Sequence, residues 1–207
     1  MNSRLPFFDA DSATRLENAR HPYPVVSLFS GAMGLDLGLN EAGLRVAVSQ
    51  DMDKWCIETM RRNSHLAIDG DIRDLIESDP SCEFFLQASG VTREALFAVV
   101  GGPPCQPFST AGKRKGVEDA RGQLYQEFIK VVSALRPRFF IMENVKGLAS
   151  MPCDPADKQS KPVLDTILES FKAIGYHTVP GLLEAVHYGT PQFRDRRGIV
   201  GSRDGED

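Results

Sequence analysis

Cysteine is scarce and scattered in this chain. Cys56, Cys82, Cys105 and Cys153 form no Cys-x-x-Cys pair, and no histidine lies at ligand spacing from any of them. A disulfide framework or a zinc site is therefore not what organises the protein, and no metal is expected. Long apolar runs are missing too, and none approaches the roughly 20 residues that span a bilayer. Arg4, Asp9, Asp11 and Arg15 break up the first stretch, leaving no apolar signal-peptide core. The expectation is a cytoplasmic protein, nucleoid-associated if bacterial, with no membrane partner. An excess of basic residues is also lacking. Lys and Arg number 24 against 28 Asp and Glu, a net charge of −4. That argues mildly against binding nucleic acid unaided, because such surfaces are usually basic. Two local basic clusters exist, Lys113-Arg114-Lys115 and Arg194-Asp195-Arg196-Arg197. On charge alone they read as solvated surface runs.

What is present is the composition of a globular domain, 42% hydrophobic and 25% charged, in 207 residues that can enclose one core. Residues 25–29 read as a buried strand. The turn Ser30-Gly31-Ala32-Met33-Gly34 follows, then a short helix carrying Leu35, Leu37, Leu39 and Ala42 that Gly43 closes. Residues 44–49 form a second strand, 54–62 a helix and 66–68 a third strand. Residues 73–95 are helical pieces around a loop at Pro80. A fourth strand at 96–100 leads into a proline-rich loop. Leu124, Phe128, Val131, Val132 and Leu135 keep helical spacing. Residues 138–142 are a fifth strand, 163–174 a helix, and 176–186 and 198–201 the last two strands. Strands alternating with helices imply βαβ units, a mostly parallel sheet and helices on both faces. With no helix between the last two strands, an edge strand is expected to run antiparallel. The fold class is α/β.

The residues with chemistry to offer fall at the carboxyl ends of strands, where open α/β sheets keep their ligands. In Gly101-Gly102-Pro103-Pro104-Cys105-Gln106-Pro107-Phe108-Ser109 the two glycines predict a sharp turn and the prolines a stiff loop. Cys105 is a candidate nucleophile, and the other three cysteines read as inert thiols. Glu143 ends a very apolar strand, a setting that suits a carboxyl to hold a proton. Asn144 adds a donor and an acceptor beside it. Gly31 and Gly34 allow a ligand close to the backbone at a helix N-terminus. Asp51 ends the second strand, where an acid accepts from a ribose diol. Asp53 fits a helix N-cap better. Asp71 ends the third strand and can accept from an adenine amino group. These loops describe an adenosine site. Gly-x-x-Gly is not Gly-x-Gly-x-x-Gly, which disfavours a dinucleotide. Arg194 and Arg196 alternate on one face of an extended segment, suited to a phosphate or a substrate carbonyl, or simply to a sheet edge.

At this point the sequence closely resembles the DNA (cytosine-5)-methyltransferases. The resemblance runs over about residues 25–203 and lies in Val26-Ser27-Leu28-Phe29-Ser30-Gly31-Ala32-Met33-Gly34, Asp51-Met52-Asp53, Gly70-Asp71-Ile72, Gly102-Pro103-Pro104-Cys105-Gln106-Pro107-Phe108-Ser109, Arg121-Gly122-Gln123-Leu124, Glu143-Asn144-Val145-Lys146 and Tyr188-Gly189-Thr190-Pro191-Gln192-Phe193-Arg194-Asp195-Arg196. It implies a Rossmann-like, S-adenosyl-L-methionine-dependent methyltransferase sheet, with residues 1–24 an extension and 25–207 the catalytic domain. It implies double-stranded DNA with a flipped cytosine as substrate. Cys105 attacks ring carbon 6, Glu143 serves ring N3, Arg196 contacts the cytosine carbonyl and Arg194 works on its phosphate side. Phe29, Gly31 and Gly34 line the methionine end of the cofactor, Asp51 takes the ribose, Met52 lies on the adenine, Asp71 bonds its amino group, and Ile72, Pro103 and Leu124 close the pocket. Gln106, Ser109, Asn144 and Val145 are the expected substrate contacts.

Two departures from the family pattern stand out. Met33 occupies a position where the family usually has glycine. The family also continues into a variable target-recognition region and a final helix that this sequence does not contain. The expectation is therefore a catalytic portion that works with a second polypeptide carrying the target-recognition region, as in restriction-modification systems. A non-catalytic cofactor-binding relic or regulatory subunit, and an RNA cytosine methyltransferase, are the alternatives.

Overall fold

The structure is a computed structural model that describes residues 23–104, 124–154, 157 and 159–205. Seven strands form one sheet: β1 Pro24–Leu28, β2 Arg45–Asp51, β3 Ala67–Asp69, β4 Ala98–Gly101, β5 Phe139–Val145, β6 His177–Glu184 and β7 Asp195–Ser202. Their order across the sheet is β3-β2-β1-β4-β5-β7-β6. Strands β1 to β5 pair in parallel. The antiparallel component expected at the edge is β7, which lies one place in and pairs antiparallel with both β5 and β6. No helix separates β6 from β7, only a 3-10 turn at Ala185–Tyr188 and the residues after it, so β7 returns directly alongside its predecessor.

Among the described residues six helices cover the sheet: α1 Gly34–Glu41, α2 Lys54–Arg62, α3 Ile72–Ser78, α4 Glu83–Ser89, α5 Leu124–Leu135 and α6 Val163–Ala173. The completely buried strand pattern of β1 and β4 follows from cover on both faces. On one face Leu39 of α1 packs with Val25, Val46, Ala98 and Val100. On the other, α4 to α6 set Phe85, Phe128, Val131, Ile167 and Phe171 against Val26, Val48, Val99, Phe140, Met142 and Ile199. Phe140 stacks on Phe171 with ring centroids 3.8 Å apart. At this place β7 carries Gly201, whose hydrogen leaves room for the Phe140 ring that any Cβ would enter. Among the described residues no helix is long and apolar enough to cross a membrane.

The strand order reverses direction between β1 and β4, because β2 follows on one side and β4 on the other. Such a switch point opens a crevice at the carboxyl ends of the two strands. The glycines there do not act as expected. Neither Gly101 nor Gly102 has a positive φ, so they do not turn the chain. They allow close approach. A Cβ on Gly101 would stand 2.5 Å from the Leu28 carbonyl oxygen, and one on Gly102 would stand 2.9 Å from Glu143 Oε2.

Candidate active site

The carboxyl ends of β1, β2, β3 and β4 meet at the crevice. The first loop follows β1, where Phe29 (φ 55), Gly31 (φ 55) and Met33 (φ 68) are all left-handed. This conformation favours glycine, which gives a physical reason for the usual glycine at position 33. Met33 holds it with its side chain buried against Ile57 and Met60 of α2. Gly31 donates its N–H to Asp51 Oδ2 at 2.8 Å, and Asp53 N–H donates to Asp51 Oδ1 at 2.9 Å. The acid expected to meet a ribose thus also ties the β1 loop to β2. Asp53 is the N-cap of α2, accepting from the backbone N–H groups of Trp55 and Cys56. Those two donors hold its carboxyl below the usual carboxylate range.

The second loop carries Asp71, the N-cap of α3. Its carboxylate is also gripped by Arg73, with Nε 3.0 Å from Oδ1 and Nη2 2.5 Å from Oδ2. The Arg73 side chain keeps the Asp71 carboxyl below its ordinary range. Sequence reading missed this partner, although Arg73 stands only two residues on. It also missed Gln50, which is buried, donates to the Gly70 carbonyl at 2.7 Å and accepts at 3.5 Å from Phe29 N–H. A glutamine following the apolar run Val46-Ala47-Val48, just inside the carboxyl end of β2, was the available signal.

These loops enclose a cavity of about 240 Å³ whose wall includes Phe29, Asp51, Met52, Asp71, Ile72 and Leu124, together with Gln50, Gly102 and Pro104. Gly31, Gly34 and Pro103 do not line it. Pro103 is buried behind it, its carbonyl accepting from Asn144 Nδ2 at 3.1 Å, and Pro104 takes the place in the wall. Asn144 is itself buried, so it braces the proline loop rather than facing solvent, while Val145 is exposed. A second cavity of about 330 Å³ adjoins the first through Phe29 and Gly102 and reaches Ser27, Ser30, Leu35, Asp36 and Glu143.

Glu143 differs from the apolar setting expected for it. Its side chain is 38% exposed and pairs with Arg196, whose Nε lies 2.6 Å from Oε1. The register of β5 on β7, with Val145 opposite Arg196 and Glu143 opposite Gly198, puts both side chains on one face. Arg196 Nη1 also donates to the Asp195 carbonyl at 2.8 Å. Lys146 and Asp195 form an ion pair of 2.7 Å beside it. Arg194 stands exposed just before β7, its carbonyl accepting from Ala185 N–H at 3.0 Å. The structure therefore joins Arg196, but not Arg194, to Glu143. Cys105, Gln106 and Ser109 lie outside the described residues. Cys105 follows Pro104 directly in the sequence.

Comparison with known proteins fits this geometry. The family model for C-5 cytosine-specific DNA methylases matches residues 23–207. The type II methyltransferase M.AquIA of Picosynechococcus is 40% identical over 88% of this chain and 73% of its own length. M.FnuDI of Fusobacterium nucleatum is 37% identical over 86% of this chain but only 46% of its own length. The chain thus spans about half of several curated relatives. The crystal structure of a prophage-encoded DNA modification methyltransferase from E. coli superposes with a TM-score of 0.67 at 27% identity, over 88% of this chain and 47% of that one. The Dnmt2 methyltransferase of S. pombe, at 20% identity and a TM-score of 0.64 over 89% of this chain and 51% of that one, shares the fold. With the switch-point crevice, the Glu143–Arg196 pair and a family match over nearly its whole length, the chain belongs to the C-5 cytosine-specific DNA methylase family.

Proposed function

We propose that this chain is the cofactor-holding and base-activating portion of a DNA cytosine-5 methyltransferase, with the DNA sequence read by a further polypeptide region. The observation that carries the reading is the Glu143–Arg196 ion pair, seated against Gly102 three residues before Cys105.

The joined cavities suit S-adenosyl-L-methionine by the chemistry of their walls. Asp51 offers acceptor oxygens, and Met52, Ile72 and Leu124 offer apolar contact for a flat ring. When bound, this cofactor supplies an electrophilic methyl group on a sulfonium sulfur. The chain's own residues prepare the other reactant. The Cys105 thiolate adds to carbon 6 of a cytosine rotated out of the duplex. That addition drives electron density onto ring N3 and the exocyclic oxygen. A proton carried by the Glu143 carboxyl passes to N3 as charge builds there, leaving the carboxylate that Arg196 pairs with. Arg196 has five N–H donors, of which Glu143 and Asp195 engage two, so others serve the carbonyl oxygen. Once carbon 5 carries the methyl group, its proton passes to a water molecule, the C5–H electrons restore the ring double bond, and the Cys105 sulfur leaves carbon 6 as a thiolate. Arg194, exposed just before β7, is available to a backbone phosphate.

The test is methyl transfer from labelled S-adenosylmethionine to cytosine duplex DNA and to RNA of the same sequence. It uses the chain alone and the chain co-expressed with its neighbouring reading frame. Transfer to DNA is expected, together with a denaturation-resistant adduct on a 5-fluorocytosine duplex that Cys105→Ser abolishes. Transfer to RNA only, or no transfer and no adduct under either condition, would sink the proposal.

A further inference from the structure

Asp36, in the first turn of α1, is fully buried and belongs to no expected site. Its two carboxylate oxygens collect hydroxyl hydrogens from both flanking strands. Ser27 of β1 donates to Oδ1 at 2.6 Å, and Ser49 of β2 donates to Oδ2 at 2.6 Å. Ser30 then donates to Ser27 Oγ at 2.8 Å. On the far side His65 Nε2 lies 2.7 Å from Ser49 Oγ. The Ser49 hydrogen is committed to Asp36, so His65 is the donor there. Every hydrogen in the chain Ser30–Ser27–Asp36–Ser49–His65 therefore points toward Asp36.

The outer end of this chain, Ser30, sits between two left-handed residues, Phe29 and Gly31. Phe29 lines both cavities, and Ser30 and Asp36 line the second. A side chain as bulky as phenylalanine stays in the left-handed region only where its surroundings over-determine it. Backbone bonds from Ser30 N–H to the Gln50 carbonyl and from Gly31 N–H to Asp51 supply part of that constraint. The hydroxyl chain supplies a side-chain anchor from within the core.

We infer that Asp36 is a positioning residue: through Ser27 and Ser30 it fixes the strained 29–31 loop in the shape that the cofactor cavity requires. The inference rests on the proposed cofactor reading for its binding consequence, but not for its structural one. Asp36→Asn keeps the shape of the side chain, replaces one acceptor by a donor so that a serine hydroxyl must turn round, and removes the charged acceptor at the centre of the chain. Ser30→Ala removes only the outer link, at a half-buried position, and carries the test if the first variant does not fold. Ser30→Thr restores the hydroxyl.

Two readouts apply to the full chain at a temperature where each variant is folded. The first is amide hydrogen exchange of Ser30 and Gly31 against Val46 to Val48 in β2. The second is the dissociation constant for S-adenosylhomocysteine by calorimetry. Asp36→Asn is expected to speed exchange in the loop by roughly tenfold or more, the scale of a lost hydrogen bond to a charged group, and Ser30→Ala by roughly threefold to tenfold, the scale of a neutral one, each leaving β2 unchanged. Ligand affinity falls in parallel, Ser30→Thr recovers both, and the double variant is no worse than Asp36→Asn alone. Equal loss of protection across β1, β2 and the loop would make Asp36 merely a stabilising residue and overturn the inference, as would unchanged loop exchange. If the unmodified chain does not bind the ligand, the cofactor reading fails, and loop exchange still decides the role of Asp36.

Discussion

Gly102→Ala separates the chemistry of the site from its stability. Gly102 has no positive φ, so alanine can adopt its backbone. The added methyl carbon would stand 2.9 Å from Glu143 Oε2, with the Glu143 carbonyl oxygen at an ordinary 3.7 Å. What must yield is therefore the far end of a side chain that is 38% exposed. Moving it breaks the pair with Arg196, and a partly exposed pair of this kind contributes about 0–1 kcal/mol. A glycine-to-alanine change at a compatible backbone returns about 0.4–1 kcal/mol by restricting the unfolded chain. The two nearly cancel, so the midpoint of urea unfolding is expected to stay within about 1 kcal/mol of the parent. Formation of the 5-fluorocytosine adduct should fall by roughly 100-fold if Glu143 activates the base as proposed, because a displacement near 1 Å of such a group has about that effect. Gly101→Ala is the contrast. Its methyl carbon would stand 2.5 Å from the Leu28 carbonyl oxygen within the β1–β4 ladder. Backbone cannot step aside there, and a loss of about 3 kcal/mol or more is expected. If Gly102→Ala destabilises as much as Gly101→Ala, or forms the adduct at the parental rate, the placement of Glu143 against Gly102 is wrong.

Met33→Gly would relieve a left-handed backbone worth about 1–2 kcal/mol but empty a buried Met site worth about 2–5 kcal/mol; unfolding should find the variant less stable despite its more permissive backbone. Burial holds the His65 imidazole below its ordinary value of 6.5, with Asp36 pulling the other way. The unfolded chain then binds the extra proton, so stability is full above about pH 6.5 and declines as pH falls below it; His65→Gln, scanned from pH 7.5 to 5.5, should remove that part of the slope, and an unchanged slope would refute the assignment. Burial also pushes the Tyr176 phenol up to about 12, while its hydroxyl donates to the buried Pro137 carbonyl at 2.6 Å. Here stability is full below pH 10 and falls between about 10 and 12, where only the unfolded chain ionises; absorbance titration should show one late tyrosine that Tyr176→Phe deletes, with a loss of about 1 kcal/mol at neutral pH.

Much of this was legible before any coordinates. Period and punctuation placed all seven strands and the helices to within a few residues, and Asp53 was recognisable as a cap because it directly precedes an amphipathic run. The errors share a cause. Gly101 and Gly102 look like turn residues, since a sequence does not distinguish a glycine needed for its φ from one needed for lack of a Cβ. Asp36 looks like an ordinary acid in a first helical turn, since nothing local reveals that Ser27, nine residues back, and Ser49, thirteen residues on, converge upon it. Glu143 was expected among apolar neighbours because its strand is apolar; its partner arrives from β7, a register that no local pattern encodes.

The place of β7 also fixes when the site can exist. β6 touches the sheet only through β7, so neither can join until both have been made. Strand β5 ends at Val145 and β7 begins at Asp195. At roughly 5–20 residues per second of synthesis, several seconds separate the two. During that interval the walls of the first cavity are already present on the growing chain, whereas Glu143 has only water to pair with. Assembly of the site is therefore the docking of a hairpin onto β5, a late and non-local pairing, and a chain interrupted before residue 195 keeps the cavity walls yet has no Glu143–Arg196 pair.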